Sequence, residues 1–357
     1  MDLWTVRSCI KRFRPDAVLL YYIGWIYGHH PMITFLPTVA KQAWPSCRVA
    51  TMFAYPEGSG GNGMAVPTRV FRKVVATLCG ESGADYEFGT LLRDSDAVLV
   101  MSDLHRPRFA EHFVGLDQKV TLVPPPPLLH MANGPSERIR LEGRAQLGVA
   151  ADEFLFVYFG YIYPAKGLET ILAALSVVLQ SHPRTRLAVV GGDLVRPNDP
   201  RPHYAQEMKA LGEKFGCGHA VRWTGGFPTE SDEASRFLYS ADAGLFGHDL
   251  GVAMNNSSFA ALVAHHLPTV ATRGAAVESP LRDGENVVFC AAQDPTAMAN
   301  AMMRVMADAA LRARVQVGTR ALASEWFSWD GATTRILGVL DPGRTHLRCV
   351  GPASSAA

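Results

Sequence analysis

The sequence has little net charge and few charged residues. Its 357 residues include 34 lysines and arginines against 33 aspartates and glutamates, a formal net charge of +1, and charged residues make up only 19% of the chain. Proteins that bind nucleic acid through its phosphates carry a broad basic field, which this composition does not provide. We therefore expect no nucleic-acid partner.

Cysteine is scarce and scattered. No two cysteines form a C-x-x-C pair or show the spacing of metal ligands. The six are Cys9, Cys47, Cys79, Cys217, Cys290 and Cys349. A disulfide framework or a zinc module requires closer and more regular spacing. The pattern favours reduced thiols, as in a cytoplasmic protein.

Long apolar runs are also missing. No stretch of about 18 apolar residues occurs, so the sequence predicts no membrane-spanning helix and no signal peptide. Basic residues near the start, and again at Arg69, Arg72 and Lys73, are most simply solvated helix faces. Peripheral contact of these residues with anionic lipid is an open alternative.

Short strand-like runs alternate with helical stretches along nearly the whole chain. Four runs precede a proline-rich segment and six follow it. They lie at 16–22, 47–54, 96–102 and 119–124, and then at 153–160, 186–192, 220–226, 242–247, 267–272 and 286–292. Continuously apolar strands joined by helices predict parallel sheets with helices on both faces. The expected fold class is therefore α/β, with two Rossmann-like, doubly wound domains facing a central cleft.

The proline-rich segment divides the chain. Four consecutive prolines at 124–127 fit neither a helix nor a central strand, so we predict a hinge over 124–139. The first domain is expected over 1–125, with a crossover helix at about 328–345, and the second over 140–327. The first domain opens on a helix rather than on a strand with a glycine-rich turn, so it looks shortened at its N-terminus.

A lysine stands where a strand gives way to a helix. In "FVYFGYIYPAKGLETILAAL", the strand ends at Phe159–Gly160 and Lys166-Gly167 opens the next helix. An ammonium group beside the unpaired N–H groups of a helix start is a good phosphate ligand. The alternative interpretation is a solvated residue of the first helical turn.

A second helix start follows a later strand. Asn255, Asn256, Ser257 and Ser258 precede a short apolar helix, and small polar residues leave the first N–H groups open to a ligand. Two helix N-termini and one lysine suit a diphosphate held without a metal ion. The alternative interpretation is that these residues are ordinary helix caps.

From about Arg144 to Leu340 these segments, in this order, resemble the nucleotide-binding half of a retaining GT-B glycosyltransferase. The family is glycosyltransferase family four, the glycosyl transferases group 1. The segments are "FGYIYPAKGLETILAAL", "RLAVVGGD", "VRWTGGFPTE", "ADAGLFG", "GVAMNNSSFAALVAHHLPTVAT", "SPLRDGENVVFCAAQDPTAMANAM" and "LASEWFSWDGATTRIL". The first domain is similar more loosely, through "RPDAVLLYY", "DSDAVLVMSDLHRPRF" and "KVTLVPPP".

This resemblance implies a role for each matching position. Lys166, Asn256 and Ser257 correspond to the catalytic positions around the donor diphosphate. The implied donor-binding residues are Gly160, Tyr161, Gly191, Gly226, Phe227, Asn255 and Ser258. The implied reaction moves a sugar from a nucleotide-diphosphate sugar to a glycan, lipid-linked or small-molecule acceptor, with retention, no cofactor and no metal.

Several positions depart from the family pattern. The paired glutamates of the family fall at Ala253 and Ala261, Tyr161 replaces the usual arginine, and His266 replaces a glycine. A charge-assisted hydrogen bond to ribose contributes roughly 1.5–3 kcal/mol, so losing it weakens donor binding tenfold or more. We interpret the chain as divergent. The alternative is a weak or inactive relative that binds a nucleotide-sugar or a partner enzyme.

Three further patterns in the sequence have both a functional and a structural interpretation. Asp94-Ser95-Asp96 has the D-x-D pattern of metal-dependent transferases but precedes its strand, so a strand cap is the preferred interpretation. "GSGGNG" at 58–63 is not followed by Gly-Lys-Ser/Thr, which favours a loop over a phosphate cradle. On the acceptor side the candidates are His29, His30 and Glu57.

Overall fold

The computed structural model of the chain describes residues 3–28, 30–57, 87–194, 201 and 203–343, together with Val70. His29 and the glycine-rich stretch 58–63 lie outside these residues. The chain divides into two compact units, one formed by Met1–Pro124 and Asp330–Ala357 and the other by Pro125–Trp329. Most of the predicted hinge thus belongs to the second unit.

The first unit is built on a parallel sheet in the order β1-β2-β3-β4. The strands are β1 Ala17–Tyr22, β2 Arg48–Phe53, β3 Ala97–Val100 and β4 Val120–Leu122. The described α-helices are α1 Leu3–Phe13, α2 Leu36–Ala43, α3 Leu91–Asp94 and α4 Arg106–Ala110. Short 3-10 helices span Gly24–Tyr27, Pro31–Phe35, Asp103–His105 and Leu116–Gln118.

The core of the first unit is aromatic on one side and aliphatic on the other. Phe53 is fully buried, and its ring centroid lies 4.6 Å from that of Phe109 and 5.9 Å from that of Phe88. Met52 and Leu99 pack instead with Ala332, which belongs to the last helix, Trp329–Leu340. That helix therefore contributes to the core of the first unit.

The second unit has a six-stranded parallel sheet in the order β10-β9-β8-β5-β6-β7. Its strands are β5 Phe154–Phe159, β6 Thr185–Val190, β7 Val221–Gly225, β8 Ala243–Phe246, β9 Thr269–Arg273 and β10 Val288–Ala291. Its described α-helices are α5 Glu137–Gln146, α6 Leu168–Ser181, α7 Tyr204–Lys214, α8 Glu233–Ser240, α9 Ser257–Ala264, α10 Pro295–Ala307 and α11 Ala309–Trp326. The helix Trp329–Leu340, which packs in the first unit, is α12. A 3-10 turn spans Gly218–Ala220.

Helices cover both faces of this sheet. Successive β5 side chains point to opposite faces, so Phe156 joins the cluster with α6, α7 and α10, whereas Leu155 and Val157 join the cluster with α8 and α9. From β5 the chain proceeds to β6 and β7 on one side and returns to β8 on the other. The sheet thus has a topological switch point beside β5, where the carboxyl ends of strands leave room for a ligand.

No helix within the described ranges combines the length and apolarity that crossing a bilayer requires.

A buried polar relay connects the linker, the segment 128–136 between the proline run and α5, to α8 and to the end of α9. The amide of Ala132 donates to Ser235 Oγ at 3.0 Å, and Ser235 Oγ lies 2.6 Å from His265 Nε2. The other ring nitrogen of His265 lies 2.7 Å from the carbonyl oxygen of Ala261, so Nδ1 carries the proton and Nε2 accepts from the serine hydroxyl. This arrangement needs a neutral imidazole.

We expect the relay to make the second unit sensitive to acid. Burial lowers the pKa of His265 to about 4, below the ordinary value of 6.5 that applies in the unfolded chain. Between these values the unfolded state binds more protons, so the free energy of unfolding falls as pH drops from 6.5 to 4, by about 1.4 kcal/mol per pH unit for this group. Urea titrations across this range measure the slope.

The variant His265→Gln tests the assignment, because glutamine keeps a polar group at the site but does not titrate. Between pH 6.5 and 4, unfolding of this variant should take up about one proton fewer than unfolding of the parent protein. Its free energy of unfolding should therefore depend less steeply on pH. An identical slope in the two proteins would show that His265 is not the group responsible.

Candidate functional site

A cavity of about 370 Å³ lies at the carboxyl ends of β5, β6 and β7, beside the switch point. It is lined by Leu128, Leu129, His130, Phe159, Gly160, Tyr161, Gly191, Gly192, Gly226, Phe227, Pro228, Thr229, Ser231, Ala234, Ser257 and Ser258. All of these residues belong to the second unit. The cavity surface is therefore formed partly by backbone at the glycines and partly by the apolar side chains of Phe227, Leu128 and Leu129.

The glycines bring backbone segments closer together than any side chain would allow. A Cβ on Gly160 would lie 2.4 Å from Ser258 Oγ, and one on Gly191 would lie 2.1 Å from the carbonyl oxygen of Gly160. A Cβ on Gly192 would lie 2.9 Å from the amide nitrogen of Gly226. The ends of β5, β6 and β7 therefore form a floor of bare backbone that a flat or anionic ligand can approach closely.

Helix α9 begins at this floor. Its N-cap residue Asn256 makes no side-chain hydrogen bond to the first turn, because its Oδ1 accepts instead from the amide of Ala253 at 2.8 Å. Ser257 and Ser258, the first two helical residues, line the cavity. The N–H groups of a first helical turn carry a partial positive charge and bind phosphate oxygens.

Lys166 lies on the loop between β5 and α6, outside the residues that line the cavity. Its ammonium nitrogen sits 4.8 Å from the ring centroid of Tyr163. The loop is joined to the segment after β8, because the amide of Asp249 donates to the carbonyl oxygen of Ala165 at 3.1 Å. Burial and then the charge of Lys166 lower the pKa of His248 to about 2, so this histidine is neutral beside the lysine.

The predicted donor residues are thus partly assembled. Those that share the cavity are Gly160, Tyr161, Gly191, Gly226, Phe227, Ser257 and Ser258. Asn255 and Asn256 immediately precede the helix start but are not part of the lining, and Lys166 belongs to the neighbouring loop.

The sequence did not indicate two parts of this site. Leu128, Leu129 and His130 lie in the predicted hinge, yet they form one wall of the cavity. An apolar pair directly after four prolines was the available signal. Thr229 and Ser231 also line it, on the segment after β7.

Two of the positions that depart from the family pattern, Ala261 and His266, have a clear structural setting. Ala261 is fully buried in the core of the second unit. His266 has a left-handed backbone, with φ of +57°, directly after the C-cap of α9. This conformation explains why glycine suits that position.

Among the described candidates of the first unit, His30, Asp94 and Asp96 make ordinary structural contacts. His30 Nδ1 accepts from the amide of Met32 at 3.2 Å, as a helix cap, and Glu57 is exposed. Asp94 accepts from Thr38 Oγ1 at 2.5 Å, and Asp96 pairs with Lys41 Nζ at 2.6 Å and with the amide of Val49 at 2.8 Å. Both carboxylates are therefore held at the entry of β3 by protein partners.

Comparison with known proteins finds a family match within the second unit. Residues 153–308 match the family model described as glycosyl transferases group 1. The D-inositol 3-phosphate glycosyltransferase of Acidothermus cellulolyticus is 29% identical over 204 residues, which are 55% of this chain and 42% of that protein. A GDP-mannose-dependent alpha-(1-6)-phosphatidylinositol monomannoside mannosyltransferase of Mycolicibacterium smegmatis is 26% identical over 71% of this chain and 64% of its own length.

Solved structures agree on the fold. Anabaena HepE in complex with UDP superposes with a TM-score of 0.68 at 15% identity, over 95% of this chain and 82% of that one. A glycosyltransferase from Rickettsia africae gives a TM-score of 0.69 at 12% identity, over 95% and 80%. The chain nevertheless spans only 42% to 46% of the first three curated relatives that it matches.

Two parallel-sheet α/β domains with these structural neighbours show that the chain has the GT-B fold, as the sequence predicted. The match of residues 153–308 to the glycosyl transferases group 1 model confirms the resemblance to that family, and it lies wholly within the second unit.

Proposed function

We propose that this protein transfers a sugar from a nucleotide-diphosphate sugar to an acceptor, without a metal ion and with retention. The observation that carries the proposal is the cavity at the switch point, where a bare glycine floor meets the uncapped start of α9. Curated relatives are named for inositol phosphate and GDP-mannose, and HepE is solved with UDP, which supports a nucleotide-sugar donor.

The cavity suggests how a donor lies in it. Phe227 and the leucine pair 128–129 offer apolar surface to the base, and the first N–H groups of α9 receive the distal phosphate with the hydroxyls of Ser257 and Ser258. The ammonium of Lys166 supplies the counter-charge to the diphosphate as it leaves.

The reaction proposed takes place on one face of the sugar. The bond between the anomeric carbon and the diphosphate oxygen breaks, and the acceptor oxygen bonds to that carbon from the same side. The acceptor proton passes to the departing phosphate oxygen, so no separate base is required. Stabilising the charge that develops on the diphosphate is then the main demand on the protein.

Calorimetry with UDP, GDP, ADP and dTDP tests the donor assignment, followed by turnover assays with the sugar conjugates of the tightest binder. We expect one nucleoside diphosphate to bind clearly better than the others and its conjugate to be consumed when an acceptor extract is added. Binding without turnover would favour a nucleotide-sugar-binding relative. Failure of every nucleotide to bind would refute the proposal.

Enlarging Gly226 tests the cavity itself. A Cβ at this position meets only Gly192, at 3.8 Å, so Gly226→Leu is compatible with the fold while it projects from the cavity lining. We expect nucleotide affinity to fall at least tenfold with little change in the thermal midpoint. Gly338→Leu, on an exposed position of α12 with no atom within 4 Å of its Cβ, is the matched control. Equal affinity in both variants would place the nucleotide elsewhere.

A further inference from the structure

A buried carboxylate supports the loop that leads into α9. Glu278, on the segment after β9, is only 4% exposed, and its Oε2 accepts from the amide of Met254 at 2.6 Å. Met254 is itself completely buried. Burying a carboxylate is costly unless hydrogen bonds offset the loss of hydration, so this contact is a defined part of the structure.

The loop before α9 uses its backbone donors within the protein. The amide of Gly251 donates to the carbonyl oxygen of His248 at 2.9 Å, and that of Val252 donates to the carbonyl oxygen of Thr272 at 2.9 Å. Ala253 donates to Asn256 Oδ1 and Met254 to Glu278 Oε2. The first helical residues that follow, Ser257 and Ser258, receive no side-chain cap and line the cavity.

Glu278 differs from Asn256, the other side-chain partner of this loop. The amide of Ala253 is held by a side chain three residues away, whereas Glu278 lies 24 residues beyond Met254 and joins two separate segments. Without this carboxylate the amide of Met254 would be buried without its acceptor, which is unfavourable. The loop would relax to satisfy this amide, and the start of α9 would move with it.

We propose that Glu278 is a positioning residue for the donor diphosphate. Its carboxylate holds Met254 so that the N–H groups of Ser257 and Ser258 point at the distal phosphate. Glu278 itself contacts no part of the donor. This inference rests on the proposed function. It predicts a loss of affinity for the diphosphate but not for the base, because the base lies against Phe227 and the wall formed by residues 128–130.

The test compares ligands with and without phosphates. UDP and GDP are titrated by calorimetry, and uridine and guanosine are followed by ligand-observed NMR. Glu278→Ala should lower diphosphate affinity 10- to 100-fold and change nucleoside affinity less than twofold. Glu278→Gln, whose amide oxygen still accepts from Met254, should stay within threefold of the parent protein. Glu285→Ala, an exposed glutamate in the same region, is the matched control.

The outcomes separate the two ideas. If the parent protein binds a diphosphate and Glu278→Ala binds it equally well, the positioning role is wrong and the proposed function stands. Equal losses of affinity for the diphosphate and the nucleoside in Glu278→Ala would also overturn the positioning role, because they indicate a general loss of structure. If the parent protein binds no nucleotide, the proposed function fails first. Should the alanine variant not fold, Glu278→Asp replaces it, and its shorter side chain should produce the same selective loss.

Discussion

Replacing Lys166 by alanine is expected to lower kcat/KM for sugar transfer 100- to 1,000-fold. The proposed reaction develops charge on the departing diphosphate, and removing one preorganised group that stabilises such charge typically costs about 10²–10³ in rate. The thermal midpoint should change little, because the lysine is only half-buried and its ammonium lies over the ring of Tyr163. Steady-state kinetics with the donor identified by calorimetry provide the measurement.

Lys209→Ala is the matched control for this prediction. Its ammonium also lies over an aromatic ring, 5.7 Å from the ring centroid of Trp223, but on the exposed surface of α7. It should therefore retain full activity. Turnover of Lys166→Ala at the parental rate would remove the lysine from the mechanism, even if nucleotide binding to the cavity were intact.

Much of the fold was predictable because its signals are local. The run predicted at 16–22 is β1 Ala17–Tyr22, and the run predicted at 153–160 is β5 Phe154–Phe159. Continuous apolar runs identify strands covered on both faces, and the helices between them require right-handed crossovers. The order of the strands around β5 follows from no such local pattern and is visible only in the structure.

Part of the candidate site follows from the family resemblance, and its residues remain predictions. Gly160 and Gly191, assigned through that resemblance, stand where a Cβ would clash with neighbouring atoms, so the structure gives a physical reason for glycine there. The linker wall at 128–130 depends on the path of an irregular segment, which residue type does not determine. Glu278 bonds to a backbone amide 24 residues earlier, so no spacing in the sequence reveals it.

Gly167 joins the two loops that bring Lys166 beside the segment after β8. It is the N-cap of α6, with a left-handed φ of +69°, and a Cβ there would lie 1.7 Å from the carbonyl oxygen of Gly247. Gly247 directly follows β8, the strand beside β5 in the sheet. A Cβ on Gly247 would lie 2.9 Å from the carbonyl oxygen of Gly167. Neither segment has room for a side chain, and the obstacle on each side is backbone.

Gly167→Ala is therefore expected to lower the free energy of unfolding of the second unit by more than about 3 kcal/mol, because backbone must move to admit the methyl group. Gly216→Ala isolates the steric part of this effect. Gly216 has nearly the same φ, +72°, but nothing lies within 4 Å of its Cβ, so only the left-handed strain of about 1 kcal/mol remains. Urea denaturation of the two variants gives the comparison. Equal losses would mean that the loops separate easily, in which case the contact could not hold Lys166 at the site. A much larger loss for Gly167→Ala would show that the position of the lysine is fixed by a junction of bare backbone.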